Sequence, residues 1–250
     1  MSMSNLPNSL LHNLQARQKS MLSTYPTRLR PALFTLGIVL GLSGIWMLIP
    51  DLLSPKIAGL PFDRSVAEAA AAHRAGATAA AEIGVVRGDL WAKAAFTYAR
   101  FMWSDHSASL SRADLEQLAK AKADAESALA LAPINGAAWL FLAKLPATSP
   151  DAENRVGMLL EMSYFTAPSA PALAPWRLER AATSNALSDK DMQTFVKSDL
   201  REILNSAPEL QQAIIVAYRN AWPQNQPIFE SLVADVDPTM AQSLHSDQPK

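Results

Sequence analysis

The chain has 250 residues, 49 % of them apolar, and a formal net charge of only −1, enough apolar side chain for a real core in one or two domains. It has no cysteine, which excludes disulfides, thiolate-ligated zinc and thiol catalysis. The small net charge conceals an asymmetry: residues 1–50 hold Arg17, Lys19, Arg28 and Arg30 with no acid, a charge of +4, while residues 51–250 carry −5. That polarity indicates a membrane boundary and no nucleic-acid partner, because no dense basic stripe is present to neutralise phosphates.

Residues 1–30 read as a basic cytoplasmic tail. The next segment, Pro31 to Pro50, is PALFTLGIVLGLSGIWMLIP, 20 residues without a charge. As a helix it covers the ~30 Å hydrocarbon core of a bilayer. Trp46 stands near its far end, where an amphipathic ring suits the interface, and the basic flank precedes the span while Asp51 follows it. The positive-inside rule then keeps the N-terminus in the cytoplasm and places the remainder outside, on an inner (cytoplasmic) membrane. A cleavable signal peptide has a shorter apolar region, ~7–15 residues, ending at a small-residue site. The nearest candidate here, Ile57-Ala58-Gly59, is poor, so a retained anchor is expected. Gly37 and Gly41 form a GxxxG pair with Gly44 close by, a face on which two such helices could pack.

Residues 51–64, with Pro55 and Pro61, read as a linker, and an Ala-rich helix is expected over 65–83. Helices follow near 89–103 and 111–132, the latter opened by Ser111 as N-cap with Asp114 three residues on. In that helix Leu115, Leu118, Ala125 and Leu129 share an apolar side, and Glu116, Lys120 and Asp124 a solvated one.

The stretch ALALAPINGAAWLFLAKL, residues 128–145, is apolar enough to resemble a second span. Yet Pro133, Asn135 and Gly136 lie inside it. In lipid the backbone groups unpaired around Pro133 would each cost several kcal/mol. As a seam between two helices, Pro133 stops the first, Asn135-Gly136 turns the chain, and Trp139, Leu142, Ala143 and Leu145 begin the inner face of the second, near 137–145. Further helices are expected near 151–165, 173–186, 189–205, 208–221 and 225–234. Ser149-Pro150-Asp151 and Ser188 with Asp191 supply two of the N-terminal signals. Residues from Asp237 are polar and read as a flexible tail, 237–250. No hairpin dipeptide is flanked by alternating apolar residues, so strands are not expected.

Ala132-Pro133, Ala167-Pro168 and Ala207-Pro208 each close an apolar helical segment, at intervals of 35 and 40 residues, and such periods mark helical repeats. The pattern A-x-x-A-L-x-L-x-P-x-N-x-x-A-W-x-x-L-A over residues 125–143 resembles the junction between tetratricopeptide (TPR) repeats. Residues 88–103, with Trp91, Ala95 and Tyr98, look like a first helix of the same kind. The resemblance covers about 88–145 and fades beyond it. It implies an all-α chain: one N-terminal transmembrane helix, then a TPR-like antiparallel helix-pair solenoid or bundle over 65–236. It also implies that a partner segment lies in a groove lined by the first helices. Candidate groove residues pair an aromatic with a nearby cation, the side-chain types that dominate interface hot spots: Arg87 with Trp91, Tyr98 with Arg100, Trp176 with Arg177 and Arg180, and Tyr218 with Arg219 and Trp222. Each is also an ordinary core or rim residue of a helical domain.

Catalytic signatures are missing. The glycines form neither GxxxxGK[ST] nor GxGxxG, no GxSxG elbow occurs, and the four histidines have no metal-ligand spacing. Asp105-His106 reads as a polar loop, and Glu82, Glu153 and Glu161 would meet only through tertiary contact. No cofactor, metal or catalytic residue is expected. The sequence therefore points to a membrane-anchored TPR-like docking module of a cell-envelope process, such as polysaccharide production or export, secretion or division. Its partners would be other envelope proteins or a peptide segment. A homo-oligomeric membrane subunit and an enzyme with a non-local site are the alternatives.

Overall fold

A computed structural model describes residues 26–56, 59–61, 63–103, 110–146, 151 and 154–246. The basic tail up to Tyr25, the Ser149-Pro150 start signal, Glu153 and the Asp105-His106 loop lie outside the described residues. Among the described residues there are twelve α-helices and no strand. By contacts the chain divides after Ile49 into two units.

The first unit is most of α1, Pro26–Leu53. Within that helix, Leu29–Leu53 is long and apolar enough to cross a membrane, and its most apolar window has no buried residue. Thr35 and Ser43 turn their hydroxyls onto the helix's own carbonyls, Pro31 O at 2.8 Å and Leu40 O at 3.3 Å, so neither requires water. The helix runs three residues beyond the expected end at Pro50, so the linker begins after Leu53.

The Ala-rich segment forms two helices, α2 (Arg64–Ala72) and α3 (Arg74–Ile83), where a single one over 65–83 was expected. The break is at His73, whose amide bonds to Ala70 O in a tightened turn. It lets the two alanine faces reach different neighbours. Ala67 of α2 joins the main core, while Ala77, Ala80 and Ala81 of α3 pack with Leu90 and Ala94 in a separate small cluster. Immediately past the break, the Arg74 guanidinium lies 4.0 Å over the Tyr98 ring and donates to Thr97 O and Gln117 Oε1.

Helix α4 (Gly88–Phe96) gives way to a 3-10 turn, Ala99–Trp103. Helix α5 (Arg112–Leu131) starts at Ser111 as expected, its hydroxyl accepting from the Asp114 amide at 3.1 Å. Asp124 departs from the expected solvated face: it is 5 % exposed. Helix α6 (Gly136–Lys144) is capped by Asn135, which accepts from the Ala138 amide. The 128–145 stretch is thus a seam in the folded unit. Gly88 and Gly136, first residues of α4 and α6, sit where a Cβ would lie 2.7 Å from Ala132 Cβ and 2.5 Å from Ala167 Cβ. Only glycine lets those helix starts approach the ends of α5 and of α7 (Val156–Thr166).

Helix α4 packs chiefly on α5, and α6 on α7. The rhythm then changes. Helix α8 (Ala174–Ala182) has its main partner in α10 (Gln211–Asn220), and α9 (Lys190–Ser206) packs on both α8 and α11 (Gln226–Val236). The cap of α9 is Asp189, whose carboxylate accepts from the Asp191 and Met192 amides; Ser188 does not fill that role. The Ala-Pro punctuation holds, since Ala132, Ala167 and Ala207 terminate α5, α7 and α9 in nearly the same non-helical conformation.

Residues 238–246 are not a flexible tail. They form α12 (Pro238–Ser246), which packs on α11 and places Leu244 fully inside the core. Asp237 starts it, accepting from the Thr239 and Met240 amides at 2.8 and 3.1 Å. Only Met240, Ala241 and Leu244 face inward, too few for the polar composition to reveal.

Candidate docking groove

One face of α5 carries Leu115, Leu118, Ala119, Lys122 and Glu126 at helical spacing, and this stripe is left partly uncovered. The end of α6 (Leu142, Leu145 and Pro146) and the start of α7 (Arg155, Val156 and Leu159) border it, enclosing a groove of about 270 Å³. Leu118, Leu145, Val156 and Leu159 are buried and make the floor. Leu115, at 45 % exposed, stands on the lip, and Lys122, Glu126 and Arg155 supply charges of both signs along the edge. Lys122 and Glu126 approach each other at 3.9 Å while remaining about half exposed. Such an exposed pair contributes little to stability, which leaves both charges available to a ligand. The chemistry offered is apolar side-chain burial with charged edges.

None of the ten expected groove residues lines this feature. Five are interior: Tyr98, Trp176, Arg177, Arg180 and Tyr218 are between 0 and 7 % exposed. They are corrected here from groove to core. The expected aromatic–cation partners also change. Tyr98 meets Arg74; Trp176 meets Lys144, whose Nζ is 4.5 Å from the ring centroid, and Trp103, edge-on at 5.0 Å; Tyr218 meets His245 at 5.7 Å. Arg100 is exposed and pairs with Asp114 at 2.8 Å. Arg87 holds Asp51 and Asp89, both at 2.9 Å. Trp91 is half-buried, its indole donating to Val85 O at 3.2 Å. Trp222 is also half-buried, its amide bonded to Ala182 O, and Arg219 is exposed. Gly37, Gly41 and Gly44 have open space where a Cβ would stand.

The buried cations are held from distant segments. Arg177 donates to Ser163 Oγ at 3.0 Å, Ser163 O at 2.6 Å and Ala167 O at 2.9 Å, lies 4.5 Å over the Tyr164 ring, and faces Asp199 at 3.8 Å. Arg180 donates to Ala143 O at 2.6 Å and Thr183 O at 3.1 Å. Burial is the main influence on the titrations of this cluster. It pushes Asp199 up to about 6 against the opposing pull of Arg177, drives the Tyr164 hydroxyl well above its usual value, and lowers Arg177. Lys144 is lowered by the same cause, opposed by Glu179 at 2.7 Å. Sealed at 0 to 3 % exposure, the Arg177–Tyr164–Asp199 cluster gives a substrate no access and knits α7, α8 and α9 together. Among the described residues no group of three or more His, Asp or Glu is placed to hold a metal ion.

Aromatic–cation pairs do not mark this groove, whose lining contains no aromatic. The available signal was the α5 stripe itself, where Leu115 and Leu118 lead into Lys122 and Glu126 on one helical side. Searches against protein-family models, curated proteins and solved structures find no match to the chain.

Proposed function

We propose that this chain is a membrane-anchored docking module of the cell envelope. In this reading α1 spans the inner membrane once, with the basic N-terminal segment in the cytoplasm, and the helical domain from Arg64 onward works outside it. The paired packing of α4 on α5 and α6 on α7, with a glycine at each junction, supports a TPR-like arrangement for that part of the chain. The observation that carries the function is the α5–α6–α7 groove, apolar in its floor and charged along its edge. It suits a short amphipathic segment of a partner envelope protein inserting two or three apolar side chains. Tethering supports the same reading, because an anchor raises the effective concentration of a weak binder near its partner without any new contact. By analogy with anchored TPR-like proteins, the process served is envelope assembly such as polysaccharide production or export.

The test is site-specific photo-crosslinking in cells, with the reactive residue at Leu115 or Arg155 in the groove and at exposed Glu209 as control. The expected result is a discrete heteromeric adduct from the groove positions alone, abolished by Leu142→Glu. Absence of any groove adduct from a membrane-inserted protein would defeat the reading. Adducts only between identical chains would favour the homo-oligomeric alternative, to which the open Gly37, Gly41 and Gly44 face is suited.

A further inference from the structure

Two loops of the second unit are built alike. Each precedes a helix that opens with glycine, each ends an alanine-lined seam, and each is pinned by a tryptophan six residues on. The Trp91 indole donates to Val85 O at 3.2 Å and the Trp139 indole to Pro133 O at 2.8 Å. The Arg87 amide closes on Gly84 O at 2.7 Å, and the Asn135 amide on Ala132 O at 3.1 Å. These fixed turns push large apolar side chains outward: Val85 is 62 % exposed, Val86 74 % and Ile134 79 %. The two loops adjoin, because Gly88 sits against Ala132. Exposed Leu131 belongs to the same rim. Charge is sparse there, since residues 83–86 and 127–143 contain no Asp, Glu, Lys or Arg.

The first residues of the second unit meet the same rim. Asp51, one residue after the apolar segment, pairs with Arg87 at 2.9 Å, and Leu52 beside it is 84 % exposed. Val86 and Val85 are one and two residues from Arg87, at most ~8 Å of chain. If α1 is a span, Asp51 stands in the interfacial layer by chain continuity alone. That layer is roughly 5–8 Å deep on each side of the hydrocarbon, so the rim cannot be remote from it.

We propose that Val85, Val86, Leu131 and Ile134, with Leu52, form a surface that rests on the bilayer interface, so that the helical unit lies against the lipid it is anchored in. This rests on the membrane-span reading of α1. The rim presents apolar side chains without a crossing segment, and the Val85 and Pro133 carbonyls are taken up by the Trp91 and Trp139 indoles, which suits an interfacial position. Arg87, held between Asp51 and Asp89, marks the polar limit of the surface.

The absence of cysteine makes the test direct. Val86→Cys, Ile134→Cys, Arg112→Cys and Leu42→Cys are each made in the full chain, labelled with an environment-sensitive dye, and reconstituted into phosphatidylcholine–phosphatidylglycerol vesicles. Nitroxide lipids then quench either at the headgroup or in mid-acyl chain. Arg112 is the control, at the opposite end of α5, ~28 Å from Leu131. The expected result is headgroup-nitroxide quenching several-fold stronger at positions 86 and 134 than at 112, and mid-acyl quenching at 42. Quenching at 42 with none at 86 and 134 would overturn the rim proposal and leave the span standing. No quenching at 42 would overturn both. Energy transfer between labelled rims of separate chains, without lipid quenching, would assign the surface to a second copy and overturn the lipid assignment. All four sites are exposed, and unchanged far-UV circular dichroism confirms that each variant folds. Ile134→Ser, a polar residue at the same site, is expected to reduce quenching at 86.

Discussion

Trp139 donates its indole N–H to the Pro133 carbonyl at 2.8 Å, across the gap in which α5 has ended and α6 has not begun. The ring lies half-buried against the core, so one side chain both packs α6 and fixes the turn before it. Trp139→Phe keeps the packing and removes the donor. The expected loss is about 1 kcal/mol in urea unfolding, with faster amide exchange at Asn135. A variant as stable and as protected as the parent would show that the bond does not hold the turn.

Gly136 and Gly157 provide an internal comparison. A Cβ at Gly136 would lie 2.5 Å from Ala167 Cβ and 3.1 Å from Ser163 O, whereas one at Gly157 meets nothing closer than 3.7 Å. Gly136→Ala is expected to destabilise by about 1–3 kcal/mol through overpacking. Gly157→Ala should be neutral or stabilising by up to ~1 kcal/mol through helix propensity. Equal denaturation midpoints for the two variants would refute the close approach of α6 and α7.

Arg177→Leu removes the only donor that Ala167 O shares with Ser163 O in this cluster and strips Asp199 of its cation. Breaking a buried pair of this kind costs about 3–5 kcal/mol. The deficit should shrink as pH falls toward about 6 and level off below it, because Asp199, raised to about 6 by burial even against the pull of Arg177, is raised further when that cation is lost and so takes up its proton first in the variant. A deficit independent of pH would mean that Asp199 is not the charge left behind.

Asp124 is also pushed up to about 6, mainly by burial. An exposed aspartate titrates near ~3.9, so between those values the native state holds the extra proton. Its stabilising contribution is complete below about pH 4 and is lost as pH rises through about 6, with an amplitude of order 3 kcal/mol. Asp199 acts in the same window. Asp124→Asn should therefore flatten the decline in stability between pH 4 and 7, leaving a smaller slope from Asp199. An unaltered slope would place the titration elsewhere.

Leu244→Ala tests the end of the fold. Leu244 is fully buried, so the expected cost is about 2–5 kcal/mol. A negligible effect would mean that α12 contributes nothing to the core.

Much of the architecture was legible because it is written in short-range signals. An uncharged run longer than a bilayer is thick marks α1. Ser111 caps α5 through an amide three residues away, and the alanines before Pro133, Pro168 and Pro208 end three helices, since proline disfavours helical geometry in the residue before it. Each depends on contacts within about one helical turn, and that information is local. The break at His73 was not legible, because helix propensity favours continuation there and only the separate demands of two apolar clusters divide the segment.

The amino-acid sequence by itself determined that the chain is helical, where most helices stop, and that one segment near the N-terminus can cross a membrane. The tertiary structure alone decided which side of each helix is covered. Arg177 and Arg180 look like surface cations until carbonyls from Ser163, Ala167 and Ala143, 10 to 37 residues away, take up their donors. Leu115 looks like core until the end of α6 and the start of α7 leave it uncovered. Burial of a charge depends on acceptors contributed by distant segments, and exposure of an apolar side chain depends on what neighbouring helices fail to cover. Neither is set by the residue or its near neighbours in the chain.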